Sequence, residues 1–468
     1  MKKIKVILKK RFFKKGKNNL FEKPRKERVR NGCYNGFTRC AFAMRNPLIT
    51  SLNTGNGYVH CFKGCSKRSK PDFFERHLKR LIALLFLSLF LLSGCWNIVE
   101  LENLAIVSAI GIDAVPESEE YQVTLQVLNP ATIAKGPMGA GGERLPTTNF
   151  QSVGNSVVEA IRSAAKKVPR EIFLGHVQHV IISEEVARED LQKVINFIRR
   201  DPDIRLTTRI FIAKGHSAQT VVNTVQSLVL IPANAVMGKL TTNQSLWSSN
   251  IEVNIMDVYS ALDSKGREPL INGILIEGEV EKGKGKPNYQ YSQMLATIVI
   301  EEMALFRDGK LQRWITKDIT RGISQILNEI ENAIVAVDYS EKKEHIPIEL
   351  IQSKTTIQTK FDGSKPIIDL HVNQIGNIAD ASEDIDLSKK EVINEIEGLW
   401  SEKTKEELLA VIDIAQKAGS DVFGFGDKLD IQHPKEWKKV QDNWSEVFPE
   451  CDINVHVETI IRRSGMVF

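Results

Sequence analysis

Cysteine is nearly absent from the larger part of this chain. Of six cysteines in 468 residues, only Cys95 and Cys451 occur from position 95 onward. An internal disulfide framework and a cysteine-rich metal site are thereby excluded for that part, so its stability has to come from hydrophobic packing. Long apolar runs are missing too. The stretch 81–92 holds about a dozen residues, against the roughly 20 that a membrane span needs. No Gly-x-Ser-x-Gly elbow and no His-Glu-x-x-His pair occurs. Gly136-x-x-Gly139-x-Gly141-Gly142 is not followed by Gly-Lys-Ser/Thr, so it reads as a flexible connection rather than a phosphate loop. Basic surplus is absent where it would matter. Residues 1–94 carry 23 Lys and Arg against 4 Asp and Glu, whereas residues 95–468 carry 40 against 54. The overall +5 conceals this opposition. An acidic body argues against nucleic acid, which rewards basic surfaces.

What is present begins with a short leader pattern. Arg76, Lys79 and Arg80 precede the apolar stretch, and Leu92-Ser93-Gly94-Cys95 closes it. Basic flank, apolar run of signal-peptide length and small-residue cleavage site together make a lipobox. The expectation is cleavage between Gly94 and Cys95, with a diacylglyceryl group on the Cys95 sulfur. Two acyl chains anchor stably where one binds only marginally. A thioether also removes Cys95 from redox and metal chemistry. Residues 78–94 are then the signal peptide, and residues 1–77 lie upstream of a true start, with Leu78 as a non-AUG initiator. The competing reading takes Cys33, Cys40, Cys61 and Cys65 as a zinc site in a nucleic-acid-binding extension. The spacings Cys33-x6-Cys40 and Cys61-x3-Cys65 fit no common zinc pattern.

Beyond Cys95 the periodicities predict a mixed α/β (α+β) protein of three domains, with mixed sheets flanked by helices. An N-terminal α/β domain spans 95–228, a small middle domain 229–294 and a C-terminal α/β domain 295–468. Residues 105–113 and 121–128 read as strands and 129–149 as a loop. A helix is predicted over 151–167, ended by Pro169, and another after the capping Ser183. Strands are predicted at 171–182 and 207–213, with a short helix at 217–228. The middle region carries a helix at 254–262 and a strand at 270–277 within a loopier unit. In the third domain 295–305 is a strand, Asp308-Gly309 a turn and 320–330 a helix. Strands at 346–360 and 367–377 are joined by the hairpin signal Phe361-Asp362-Gly363-Ser364. A long amphipathic helix at 387–417 bends near Gly398 and stops at Gly419. A helix at 434–447 and a terminal strand at 453–461 complete the chain.

Several residues invite a sharper reading. His176-x-x-His179 resembles half a metal site, but positions three apart on a strand face opposite sides. Glu184-Glu185 and Glu301-Glu302 read as solvated or helix-start charges rather than acid/base pairs. Phe423 and Phe425 sit in a Phe-Gly-Phe-Gly loop and either pack inward or contact a partner. Trp437 and Trp444, seven apart, read first as core and second as interface. Arg321, beside Gly322 near a helix start, is either a buried pairing residue or an exposed contact. These five residues are the candidate interface.

The whole body from Gly94 resembles the Ger(x)C family, the C-subunit lipoproteins of spore germinant receptors. The resemblance rests on Gly94-Cys95-Trp96-Asn97-x-x-Glu100-Leu101 and Ile110-Gly111-Ile112-Asp113. It continues through Gly175-His176-Val177, Ile182-Ser183-Glu184-Glu185-Val186-Ala187, Phe197-Ile198-Arg199-Arg200-Asp201 and Arg205. In the third domain it rests on Ala304-Leu305-Phe306-Arg307-Asp308-Gly309-Lys310-Leu311, Thr320-Arg321-Gly322 and Asp421-Val422-Phe423-Gly424-Phe425-Gly426. Arg313 stands where a glycine is common before Trp314, and the N-terminal extension is foreign to the pattern. The resemblance implies a three-domain protein without enzymatic activity, metal or cofactor beyond the diacylglycerol on Cys95. It implies residence on the outer face of the spore inner membrane, with membrane lipid, an integral-membrane A subunit and a transporter-like B subunit as partners. A lipid-anchored solute-binding protein that captures the germinant itself is the alternative, and a cell-wall hydrolase a third.

Overall fold

The computed structural model describes residues 77–85, 100–135, 145–316, 319–339, 344–363 and 365–463. Gly94, Cys95 and residues 1–76 lie outside the described residues. Residues 77–85, which overlap the start of the expected leader, are helical.

The body from residue 94 onward forms one compact unit. Its first sheet has nine strands among the described residues: β1 (Leu104–Ala114), β2 (Tyr121–Leu128), β3 (Thr147–Gly154), β4 (Glu171–Phe173), β5 (His179–Ser183), β6 (Arg209–Ala213), β7 (Leu270–Gly278), β8 (Ala296–Arg307) and β9 (Lys310–Ile315). The order is β3-β2-β1-β5-β6-β7-β8-β9, with β4 also on β1. Strands β1, β5, β6 and β7 run parallel, while β2, β3, β8 and β9 add antiparallel edges. Strand β1 is buried without interruption from Val107 to Asp113, as a central strand covered on both faces must be.

Helices α1 (Pro130–Lys135), α2 (Val157–Ser163), α3 (Glu184–Arg200), α4 (Ala218–Asn223), α5 (Pro232–Trp247) and α6 (Ile255–Asp263) accompany this sheet. Ser156, Ser183 and Ser217 cap α2, α3 and α4 through their hydroxyls, and Asn254 with Asp257 forms a reciprocal capping box on α6. Helix α3 is interrupted at Asp190, whose carboxylate recaps it by accepting from the Gln192 and Lys193 amides.

The second sheet has the order β10-β11-β12-β13, from β10 (Ala333–Tyr339), β11 (Glu344–Asp362), β12 (Lys365–Ile378) and β13 (Asp452–Arg463). The expected hairpin joins β11 to β12, with Gly363 at φ +62°. Strand β13 returns parallel to β12. Helix α7 (Thr320–Ile326) and the long α8 (Lys390–Ala418) cover the inner face, followed by α9 (Phe425–Gln432), α10 (Pro434–Val440) and α11 (Trp444–Val447).

Several local expectations are corrected. The stretch 129–149, expected as a loop, contains α1 and the start of β3, and the helix expected at 217–228 stops at Asn223. The predicted helix at 151–167 is half strand: β3 pairs with β2 through Gly154, and the helix starts only after the Ser156 cap. The 320–330 helix ends at Ile326. The 434–447 helix divides at the 3-10 turn Gln441–Asn443. Helix α8 runs through Gly398 with no break in its backbone, because regular hydrogen bonding on both sides needs no side chain there.

One sheet also runs across positions 228/229 and 294/295, where composition suggested domain limits. The polar, glycine-rich character of 231–295 reflects the connections from β6 through α5 and α6 to β7 and from β7 to β8. The core shows the same continuity. One cluster extends from Val107 and Ile110 to Phe425, Phe448 and Val455. A second joins Phe211 and Ile181 to Ile274 and Ile298, and a third packs Trp400 and Ile396 of α8 on β10 and β11.

Candidate functional site: a buried carboxylate cradle and the cavities around it

Helix α8 ends at Gly419, whose φ of +62° gives the left-handed stop expected of that glycine. The chain then turns inward and buries Asp421 completely. Its Oδ1 accepts from the amides of Phe423, Gly424 and Phe425 at 3.2, 2.9 and 3.2 Å. Its Oδ2 accepts from the Gly426 amide at 2.8 Å and from Trp444 Nε1 at 3.0 Å. The carboxylate therefore caps α9, where the helix dipole favours a negative charge. Burial pushes the Asp421 carboxyl up to about 6, against the pull of those donors.

Glycine is required twice here. Gly424 takes φ +73°. A Cβ on Gly426 would lie 2.6 Å from the Gly266 Cα and 2.7 Å from the Trp437 ring. Two backbones cross at that point, which ties the segment before β7 to the cradle. The Glu268 amide adds a 2.8 Å bond to the Asp421 carbonyl. Glu268 itself is half-buried, and desolvation pushes its carboxyl up to about 7 although the Asp308 amide donates to it.

The structure brings four of the five sequence-derived candidates together, but inside the protein. Phe423, Phe425, Trp437 and Trp444 are each at most 4% exposed. Ring centroids lie 5.1 Å apart for the Phe423–Phe425 pair and 5.2 Å for the edge-on Trp437–Trp444 pair. The inward alternative thus holds for all four, and none of them offers surface to a partner. Arg321 lies apart from them, on α7. Its guanidinium forks onto the buried Glu407 of α8 and donates to the Ile334 carbonyl at 2.8 Å. Half-buried and paired, it meets the pairing alternative rather than that of an exposed contact.

The remaining candidates separate as well. His179 is buried edge-on against Phe211, and desolvation lowers its pKa to about 4, whereas His176 is exposed. Glu302 pairs with Lys214 and Glu184 with Arg188. Cys451 is buried, which drives its thiol up to about 12 and leaves it unreactive. Among the described residues no three His, Cys, Asp or Glu side chains cluster to hold a metal ion.

Sequence reasoning passed over both buried aspartates. Asp421 opens the Phe-Gly-Phe-Gly signature, and Asp113 ends Ile-Gly-Ile-Asp. Asp113 accepts from the Ala218 and Gln219 amides at 2.6 and 2.8 Å, so it caps α4 from β1. A Cβ on Gly111 would sit 3.1 Å from the Ala218 backbone, so that glycine lets the helix approach. The available signal was an aspartate placed one or two residues from a glycine at the end of an apolar segment.

Among the described residues, three cavities stand out. One of about 230 Å³ adjoins the cradle and is lined by Ser264, Lys265, Glu268, Asp308 and Asp442. One of about 530 Å³ lies between α6 and α9 and carries Glu252, Asp257, Arg267, Glu329 and Lys428. The third, about 690 Å³, lies near the β3 edge among Thr147, Asn149, Asn223, Thr224, Lys284 and Lys286. None of them brings together a nucleophile, a base and an orienting group.

Two family models match the body in order. The spore germination protein N-terminal domain matches residues 97–276, and the spore germination B3/GerAC-like C-terminal domain matches residues 301–465. The chain is 31% identical to spore germination protein KC of Bacillus subtilis (strain 168) over 82% of its length and 96% of that protein. It is 23% identical to spore germination protein B3 of the same organism, over 82% of this chain and 98% of that one. A crystal structure of the GerBC protein aligns with a TM-score of 0.47 at 22% identity, covering 75% of this chain and 96% of that one.

Proposed function

Because the chain belongs to the spore germination GerAC family, we propose that it is the lipid-anchored C subunit of a nutrient germinant receptor, needed to trigger germination. The observation that carries this reading is the end-to-end match of both family domains, in order, across 97–465. The subunit works by contact rather than by chemistry: its signature residues Asp113, Phe423, Phe425 and Asp421 are spent on holding helices and seams together. Its partners are an integral-membrane A subunit and a transporter-like B subunit, and its seat is the outer face of the spore inner membrane. A diacyl anchor on Cys95 confines the body to that surface, which raises its local concentration so that weak interfaces suffice.

The test is Cys95→Ala in the native receptor operon. The expected outcome is release of the protein into the soluble fraction and a weakened response to nutrient. Full membrane retention with unchanged germination would remove the tether from the account.

The cavity of about 690 Å³ favours a second reading, in which the subunit captures the germinant itself, since ligand sites commonly fall in this size range. Titration calorimetry of residues 96–468 with amino acids, sugars and nucleosides separates the two. Stoichiometric heat favours capture; its absence across the set favours assembly alone.

A further inference from the structure

From Gly215 to Gly238 the sequence contains no Asp, Glu, Lys or Arg, in a chain that is 26% charged. The connection between α4 and α5 lies inside this uncharged stretch. At its tip Leu228 is fully exposed, and Val229 is 38% exposed. Leu230 and Ile231 are half-exposed. Leu228 also adopts φ +66°, a left-handed conformation that leucine rarely takes. A residue that is both strained and fully solvated gains nothing from the fold around it.

The tip is nevertheless fixed at its base. The Val225 amide donates to the Gly283 carbonyl at 2.9 Å, and Asn288 Nδ2 donates to the Val225 carbonyl at 2.7 Å. The Ser227 hydroxyl donates to Met294 Sδ at 3.0 Å, and Lys239 Nζ to Gln226 Oε1 at 2.9 Å. The segment that holds it carries Lys282, Lys284 and Lys286 against Glu279 and Glu281. Lys282 pairs with Glu279 and Lys284 with Glu281, each at i,i+3, which leaves one net positive charge. Lys284 and Lys286 line the same cavity as Val225 and Pro232, the residues at the two ends of the loop. Tyr291, 64% exposed, belongs to the connection that follows.

We propose that the loop at 228–231 is a lipid-contact element, with Leu228 and Val229 entering the acyl boundary of an anionic bilayer and Lys284 and Lys286 meeting its phosphates. The tip is purely aliphatic and offers no side-chain hydrogen bond. Protein interfaces instead anchor on aromatic residues and arginine. Aliphatic side chains with a lysine rim match the boundary between acyl chains and headgroups, and tyrosine suits the headgroup level. The loop is then a second membrane contact, independent of any acyl chain, that fixes which face of the body lies on the membrane.

The experiment uses residues 96–468, which keep every buried core residue and lie within one compact unit. Without Cys95 the fragment cannot be acylated, so failure here is distinct from failure of the anchor. Co-sedimentation is measured on vesicles of phosphatidylcholine with phosphatidylglycerol, and on phosphatidylcholine alone. Binding is expected on the mixed vesicles. Leu228→Asn should lower the vesicle partition coefficient about tenfold or more, through loss of buried apolar area. The same substitution should leave the thermal midpoint unchanged or slightly raised, because asparagine tolerates the left-handed backbone. Lys284→Gln with Lys286→Gln should cost about fivefold for each lysine that reaches the surface, and added salt should erase that difference. Absence of binding by the parent fragment overturns the proposal. So does a Leu228→Asn variant that partitions like the parent. A Leu228→Asn variant that partitions normally but no longer co-purifies with membrane proteins assigns the loop to a protein partner instead.

Discussion

Replacing Asp421 by asparagine tests the cradle with almost no change of shape. The carboxylate accepts five N–H bonds, three on Oδ1 and two on Oδ2. An amide has one oxygen, so its NH2 group must face one of the two donor sets. In the less costly orientation it replaces Oδ2 and leaves the Gly426 amide and Trp444 Nε1 without acceptors. Each buried donor left unpaired costs about 1–3 kcal/mol, so Asp421→Asn should cost about 2–6 kcal/mol. Folded proteins hold only about 5–15 kcal/mol in total. Urea denaturation of residues 96–468, followed by tryptophan fluorescence, reads this directly, because Trp437 and Trp444 lie at the cradle. The thermal midpoint should fall by about 2 °C per kcal/mol. A loss below about 1 kcal/mol would mean that the five bonds do not hold this seam, and that α9 is placed by aromatic packing alone.

Glu268 predicts a pH dependence. Its folded carboxyl is raised to about 7 from 4.5, chiefly by burial. Below about pH 4.5 both folded and unfolded chains keep the proton; between about 4.5 and 7 the unfolded chain releases it first, so stability falls as pH rises, by at most about 3 kcal/mol. Asp421, raised for the same reason, adds to the fall over an overlapping range. Glu268→Gln should flatten the Glu268 share and stabilise the protein at about pH 8, as denaturation midpoints at two pH values will show; an unchanged slope refutes it. Gly398→Ala should stabilise by about 0.5–1 kcal/mol, since a Cβ there meets no atom within 4 Å and the helix is unbroken. A neutral or destabilising result, read by thermal melting, would indicate a bend at Gly398.

The elements that the sequence revealed best are those whose burial follows a simple period. Burial alternates along β12, and the β11–β12 pair carries its own turn chemistry at Asp362-Gly363, so that pair was legible; β2 alternates in its sequence although Val123 to Val127 are all buried. Residues 151–154 were not. Val153 and Val157 fit a helical spacing, yet the ladder with β2 claims Val153 for a strand, and only long-range pairing decides that. The extent of the first sheet was hidden for the same reason. Strand β7 finds its place beside β6 through pairing some 60 residues away in sequence, β8 then pairs with β7, and local composition there reports only the connections.

The candidate site failed to be legible in a more instructive way. Motif strength pointed to Phe423, Phe425, Trp437, Trp444 and Arg321, and every one of them is engaged inside the fold. Their chemistry explains why such residues stand out in sequence. A glycine at a backbone crossing, an aspartate under a helix and an arginine on a buried glutamate each have few substitutes. Surfaces that meet a membrane or another subunit have many, because an aliphatic tip works with any comparable aliphatic residue. A short motif is therefore the wrong place to look for this protein's contacts. The better signal is a residue whose position the fold cannot explain. Leu228 is one, strained and wholly exposed on a fixed loop.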